Sequence, residues 1–223
     1  MKIIEPVFHF RTVSYNELVP FDGIQMLRMI EQMARISHRS ENAQTDDTWQ
    51  GFIKNVILDR GDWSVAEHAS MTAVIRIDRG VTHELVRHRL FSFTQESTRF
   101  CRYKDGLEFV YPISAPEDGL GWDADWVNGM IASEILYLRL LDKGWTPQAA
   151  RSVLPNALAS TIAVTCNLRN WRHFFLMRTS KNTHPAFRRI SIPMLAEAKR
   201  LVPMLFDDIE PLARQIDNLR KAR

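Results

Sequence analysis

Apolar residues recur at Ile24, Met26, Leu27, Met29, Ile30, Met33, Ala34 and Ile36, a helical period with a broad buried stripe. A second helix is expected from Asp46 or Asp47 to Gly61, with Trp49, Phe52, Ile53, Val56 and Ile57 inward. Met71 to Asp78 reads as a strand centred on Val74 and Ile75. Residues 81–86 then read as a helical turn entered through Thr82 as N-cap, and Ser97 and Arg99, two apart, would share a face if the chain is extended there. A long helix over Asp125 to Lys143 turns Met130, Ile131, Leu138 and Leu141 to one side and stops at Gly144. Thr146-Pro147 restarts a helix at once, which places Arg151 one turn inside it. Strand-like Ser160 to Thr165 leads into a short helix from Asn170 that carries Trp171, Phe174, Phe175 and Met177 toward Arg178. From Ile192 the chain is amphipathic helix broken at Pro203 and Pro211, ending in the charged tail Arg220-Lys221-Ala222-Arg223. No repeat or low-complexity linker interrupts this order. The fold class is α+β: a helix-rich single domain over residues 1–223 with a central antiparallel or mixed sheet.

Composition narrows the class. With 223 residues and 45% hydrophobic content, the chain can bury one good core. A net charge of +3 suits acidic small molecules as well as nucleic acid and cannot choose between them. No run of eighteen apolar residues and no signal-peptide core is present, so a soluble cytoplasmic protein without a membrane partner is expected. Cys101 and Cys166 have no metal spacing, and Cys166, in a β-branched stretch, reads as a small buried hydrophobe rather than a nucleophile. His83 and His88 are five apart, wrong for a metal-binding helix face, so no metal is expected. His68 reads as a core histidine, and His184, before Pro185, sits in a turn of open role.

The chemistry concentrates in Arg87-His88-Arg89, Ser92 and Ser97-Thr98-Arg99. A solvated basic face is the plain reading of such a run. On a helix, three consecutive side chains point about 100° apart, so the triplet would serve separate anions or separate subunits. Arg99 would bring a planar fork of donors to a phosphate, with Ser97 adding a hydroxyl.

The spacing R-H-R-x-x-S-x-x-x-x-S-x-R resembles the signature of flavin-dependent thymidylate synthases. The resemblance extends through Ala34-Arg35-Ile36-Ser37, Glu67-His68, Ala150-Arg151-Ser152-Val153-Leu154-Pro155, Asn167-Leu168-Arg169 and Arg178-Thr179-Ser180. It implies reductive methylation of deoxyuridylate (dUMP) to thymidylate, without a cysteine nucleophile. The cofactor would be FAD, the one-carbon donor 5,10-methylenetetrahydrofolate, and the reductant NADPH or NADH. It implies Arg178 as the catalytic guanidinium at the uracil edge. The nucleotide would meet Glu84, Arg87, Gln95, Glu96, Ser97, Thr98, Arg99, Arg151 and Arg178. FAD would meet Ser64, Arg87, His88, Arg89, Gln95, Asn167, Arg169 and His173. A homotetramer with active sites shared between subunits, and no stable nucleic-acid partner, completes what the resemblance implies.

Some positions depart from the family pattern. Asp62 replaces a histidine, Phe100 a tyrosine and His173 an asparagine, and Ala186-Phe187-Arg188-Arg189 follows Pro185 where glutamine and glutamate are frequent. Two rival readings stand beside the synthase. One is a single-strand-binding module with Arg87, Arg89, Arg99 and Arg102 on phosphates and Phe91, Phe93 and Phe100 stacking on bases. The other is a flavoprotein of this fold that has lost synthase activity.

Overall fold

The computed structural model describes residues 1–11, 22–113 and 121–211. Six strands and seven α-helices are present among them. A four-stranded sheet has the order β2 (Val7–Arg11), β3 (Ser70–Asp78), β6 (Ala159–Asn167), β4 (Ser92–Gln95). Side-chain bonds between Thr72 and Thr165 (2.8 Å) and between Arg76 and Thr161 (2.8 Å) join residues whose numbers run in opposite directions, so β3 and β6 are antiparallel. Short β1 (Lys2–Ile3) pairs in parallel with β5 (Glu108–Phe109). The chain is therefore helix-rich α+β, as expected.

It gathers into two compact units, each built from several segments, with the boundary falling inside β3 and β6. The first comprises Met1–His9, Val74–Arg89 and Phe93–Val164. Here α3 (Arg79–Leu85) starts directly off β3, because the extended Asp78 accepts the Val81 N–H at 2.8 Å. The N-cap expected at Thr82 is thus Asp78; Thr82 is fully buried and spends its hydroxyl proton on the Arg79 carbonyl. The long helix α4 (Ala124–Asp142) is capped by Asp123 and stopped by Gly144, whose φ of +85° is left-handed. Its inner face differs from expectation. Met130, Leu138 and Leu141 pack against Leu107, Phe109, Tyr137, Ala150 and Leu158, but Ile131 is exposed and Glu134 is buried instead. That carboxylate is satisfied by the Leu107 N–H at 2.7 Å and the Met1 amino group at 2.8 Å. Helix α5 (Pro147–Ala150) follows Thr146 and leads into a 3-10 turn, Arg151–Val153.

The second unit comprises Phe10–Ala73, Leu90–Ser92 and Thr165–Arg223. Helix α1 (Gly23–Ile36) matches the expected span, but its stripe is narrower: Leu27, Ile30 and Ala34 are buried, whereas Ile24, Met29 and Ile36 are exposed. Gly23 lies so close to the Leu201 carbonyl that a Cβ there would sit 1.8 Å from its oxygen. The expected second helix begins later, at Trp49, as α2 (Trp49–Phe52), and widens into a π-helix over Ile53–Asp59. Lys54 and Asp59, five apart, form an ion pair at 2.8 Å across it. A 3-10 helix follows at Trp63–His68, with His68 exposed rather than in the core.

The core of this unit is aromatic. Helix α6 (Leu168–Arg178) begins earlier than expected because Asn167 accepts the Asn170 N–H at 2.9 Å. It buries Trp171, Phe174 and Phe175, while Met177 is exposed. Trp171 meets Phe10, Phe91, Phe174 and Phe175 within 5.7 Å between ring centres, and its indole N–H donates to the Met71 carbonyl at 2.9 Å. Each such ring removed from water contributes about 1.5–3 kcal/mol. Helix α7 (Pro185–Leu201) starts about two turns before Ile192, contains Pro193 and ends ahead of Pro203. The tail from residue 212 lies outside the described residues.

Candidate active site

In the first unit the structure brings Gln95, Glu96, Ser97, Thr98, Arg99 and Arg151 together. Residues 98–100 form a turn rather than an extended segment. The Ser97 carbonyl accepts the Phe100 and Cys101 N–H groups at 3.1 and 2.9 Å, and Ser97 Oγ accepts the Arg99 N–H at 3.3 Å. Arg99 is exposed, with its Nε on Gln148 Oε1 at 2.6 Å and its guanidinium 5.2 Å from the centre of the Phe100 ring. Arg151 donates to the buried Thr98 hydroxyl at 3.3 Å. Two guanidiniums are thus braced by neutral groups and keep their charge for an anion.

Glu96 has no spare oxygen. Oε1 accepts the Tyr103 hydroxyl at 2.7 Å, and Oε2 accepts the Thr161 N–H at 3.1 Å and Arg76 at 3.4 Å. Arg76 also grips Glu108, which Lys2 meets from outside at 3.2 Å. The Arg76 bond holds the Glu108 carboxyl below the usual carboxylate range, helped by Lys2 and opposed by burial. Burial, then the bond to Glu96, pushes the Tyr103 phenol far up, so it stays protonated as a donor.

The Arg87-His88-Arg89 triplet lies past the end of α3, not within it. Arg87 and Arg89 face solvent and His88 is buried. Alternation in a turn separates the three side chains, where a helical 100° step had been expected to. Glu84 is half-buried on α3.

The second unit carries Ser64, Asn167, Arg169, His173 and Arg178. Ser64 and His173 are exposed, and Arg169 pairs with Glu67, which ties α6 to the 3-10 helix. Asn167 uses Oδ1 as the α6 cap. Arg172, absent from the sequence reading, lies 4.3 Å from the centre of the Trp63 ring and grips Asp208, whose carboxyl it holds below the usual range. Arg178 closes α6, half-buried, with its guanidinium 4.7 Å from the centre of the Phe187 ring. Its carbonyl accepts the Ser191 hydroxyl at 2.7 Å. Phe187 is one of the residues that depart from the family pattern, so that departure packs under the candidate catalytic arginine. Asp62 is exposed, its N–H on the Val56 carbonyl. His184, exposed, is the N-cap of α7.

Sequence reading also missed Gln148, Arg76 and Tyr103. Nothing local marks them; each acts through a partner more than five residues away. Cys166 is buried and its thiol pushed well up by desolvation, while Cys101 is half-buried. Among the described residues no cluster of three or more His, Cys, Asp or Glu could hold a metal, and no helix is long and apolar enough to cross a membrane.

Comparison with known proteins adds to this geometry. The family model for thymidylate synthase complementing protein matches residues 24–204. A flavin-dependent thymidylate synthase of Corynebacterium efficiens is 39% identical over 169 residues, 69% of this chain and 67% of the relative. One from Mycobacterium tuberculosis is 37% identical over 180 residues, 72% of this chain and 69% of the relative. Among solved structures, a UMP/dUMP methylase PolB from Streptomyces cacaoi, bound with 5-Br dUMP, superposes with a TM-score of 0.74 at 23% identity, covering 93% of this chain and 96% of that one. Thymidylate synthase X from Helicobacter pylori, with FAD and dUMP, superposes at 0.67 and 19% identity, covering 92% and 98%. At these identities the structural likeness speaks to the fold.

Proposed function

We propose, on the premise that this chain belongs to the thymidylate synthase complementing protein family and is an enzyme of that kind, that it methylates dUMP reductively to thymidylate. The one-carbon donor is 5,10-methylenetetrahydrofolate and the reductant NADPH or NADH. The observation that carries this reading is the Ser97–Arg99 turn, with Arg99 and Arg151 braced by neutral partners, a ready grip for a nucleotide phosphate.

The donor set fits FAD. In the first unit exposed Arg87 and Arg89 are cations of the kind a diphosphate takes; in the second, taken by itself, Arg169 is exposed, Ser64 offers a hydroxyl, and Asn167 retains its amide NH2 because only Oδ1 caps α6. When bound, FAD supplies hydride transfer. The chain's own residues bind and polarise. The family resemblance supports Arg178 at the uracil edge; there its guanidinium stabilises negative charge on the N3 and O4 side and pushes electron density toward C5. A cysteine adding at C6 is disfavoured at Cys166, which burial keeps protonated. The homotetramer with shared active sites rests on the family resemblance, and exposed Ile131, Ile135 and Leu136 on α4 offer an apolar face for a subunit contact. A cytoplasmic location suits such a biosynthetic enzyme.

The test is tritium release from C5-labelled dUMP, with FAD, folate and NADPH each omitted in turn. Release that needs both flavin and folate is expected. Bound flavin without release would point to a flavoprotein lacking synthase activity; no flavin, with salt-steep binding of single strands, would point to nucleic-acid binding.

A further inference from the structure

Gln95, the last residue of β4, donates its amide NH2 twice, to Thr82 Oγ1 at 2.9 Å and to Ser160 Oγ at 3.1 Å. Both hydroxyls belong to fully buried residues. The direction of the first bond is settled by chemistry. Thr82 has one hydroxyl proton, and it goes to the Arg79 carbonyl at 2.9 Å, which can only accept. Towards Gln95, Thr82 can therefore only accept, so the nitrogen of the amide must face it. Turning the amide over would set two acceptors against each other at hydrogen-bond distance inside the protein. The carbonyl Oε1 consequently points the other way, and among the described residues no donor meets it. Gln95 is half-buried beside Glu96, whose own oxygens are all taken.

We infer that Thr82 and Ser160 are positioning residues that fix Gln95 as a hydrogen-bond acceptor toward the nucleotide, so that the site demands an N–H or O–H donor there. This rests on the reading of the site as one for dUMP. The donor is either the uracil N3–H or the sugar 3′-hydroxyl; the two share one chemistry and separate by experiment. Such a lock discriminates more sharply than a rotatable amide, because a substrate lacking the donor leaves a fixed acceptor unpaired.

The experiment is titration calorimetry on the FAD-loaded protein with dUMP, N3-methyl-dUMP and 2′,3′-dideoxyuridine monophosphate. In the wild type, one analogue is expected to bind roughly tenfold more weakly than dUMP, the size of one lost hydrogen bond. Thr82→Val, which keeps shape and removes the acceptor, is expected to weaken dUMP by a similar factor and to abolish discrimination against that analogue. Thr82→Ser restores both. Ser160→Ala should give a smaller loss in the same direction, and it carries the test if Thr82→Val does not fold. Equal binding of all three ligands by the wild type overturns the inference. So does discrimination that survives in Thr82→Val and Ser160→Ala. A wild type that takes up FAD but binds no dUMP removes the substrate reading itself, a result distinct from either.

Discussion

Arg99 and Arg76 belong to the same unit and are both held by their neighbours, but the neighbours differ in kind. Arg99 is braced by a neutral amide and an aromatic ring, Gln148 and Phe100. Arg76 lies between two carboxylates, Glu96 and Glu108, with Thr161 as a further acceptor. A guanidinium fixed by neutral groups keeps its full charge for an arriving anion, whereas one between carboxylates is already neutralised and serves the scaffold. Arg151, on the Thr98 hydroxyl, follows Arg99; Arg172, on Asp208, follows Arg76. Arg169 stands between the two classes. Its Glu67 pair is about half-exposed, and such pairs contribute little, so a diphosphate can compete for it. What an arginine touches tells more about its role than its place in a motif.

The comparison can be broken at four points. The largest effect is expected at Arg178: Arg178→Ala should lower turnover at least ~100-fold, in line with removal of a single charge-stabilising donor, while flavin content stays near wild type. Turnover that persists would take Arg178 out of the reaction. Next, Arg99→Ala should weaken dUMP roughly 10- to 100-fold in calorimetry, the range for a charged hydrogen-bonding group. An unchanged dissociation constant would move the phosphate elsewhere and dissolve the class to which Arg99 is assigned.

Arg76→Met should act on stability instead, by about 1–2 kcal/mol in urea unfolding, a figure reduced because this pair is partly exposed. Its pH dependence sharpens the contrast. Glu108 is depressed in the folded chain, so its contribution is present above the unfolded carboxylate pKa and fades as pH falls through the lower folded value. Acidification should therefore cost the wild type more stability than Arg76→Met. Parallel stability curves would show that Glu108 and Arg76 are not coupled. The smallest effect is expected at Cys166, where Cys166→Ala should retain turnover and iodoacetamide should label the native thiol only on unfolding. Rapid native labelling would contradict the burial argument.

Periodicity carried the long elements. The span of α1, the alternation of β3 and β6, and the Gly144 stop of α4 all lie where local pattern predicts them, because each is decided within a few residues. Errors arose where a partner that the period does not mark decided, whether distant or close by. Glu134 is buried because Leu107 and Met1 meet it, so the inward face of α4 turned away from Ile131. Thr82 looked like a cap, but Asp78 at the end of β3 reached the helix first and left the threonine hydroxyl to the Arg79 carbonyl. The Ser97–Arg99 motif was legible as composition, yet its shape was not. Serine capping a turn and serine in an extended run look alike until the backbone bonds to Phe100 and Cys101 are known. Residues that brace others, such as Gln148 and Tyr103, belong to no pattern at all.

The π-helix over Ile53–Asp59 has a consequence for how chain length can vary. A wide turn of this kind holds one residue more than an α-helix would need to cover the same rise, and it adjoins Asp62, Trp63 and Ser64. Loss of a single residue there can be absorbed by tightening to α-geometry, with the helix intact and everything downstream left close to its place. The segment is thus a natural place for a one-residue length polymorphism to be tolerated by the fold. A deletion scan across residues 53–59 should give folded protein after loss of one residue, read by thermal unfolding, whereas the same scan within α6 should give none that folds.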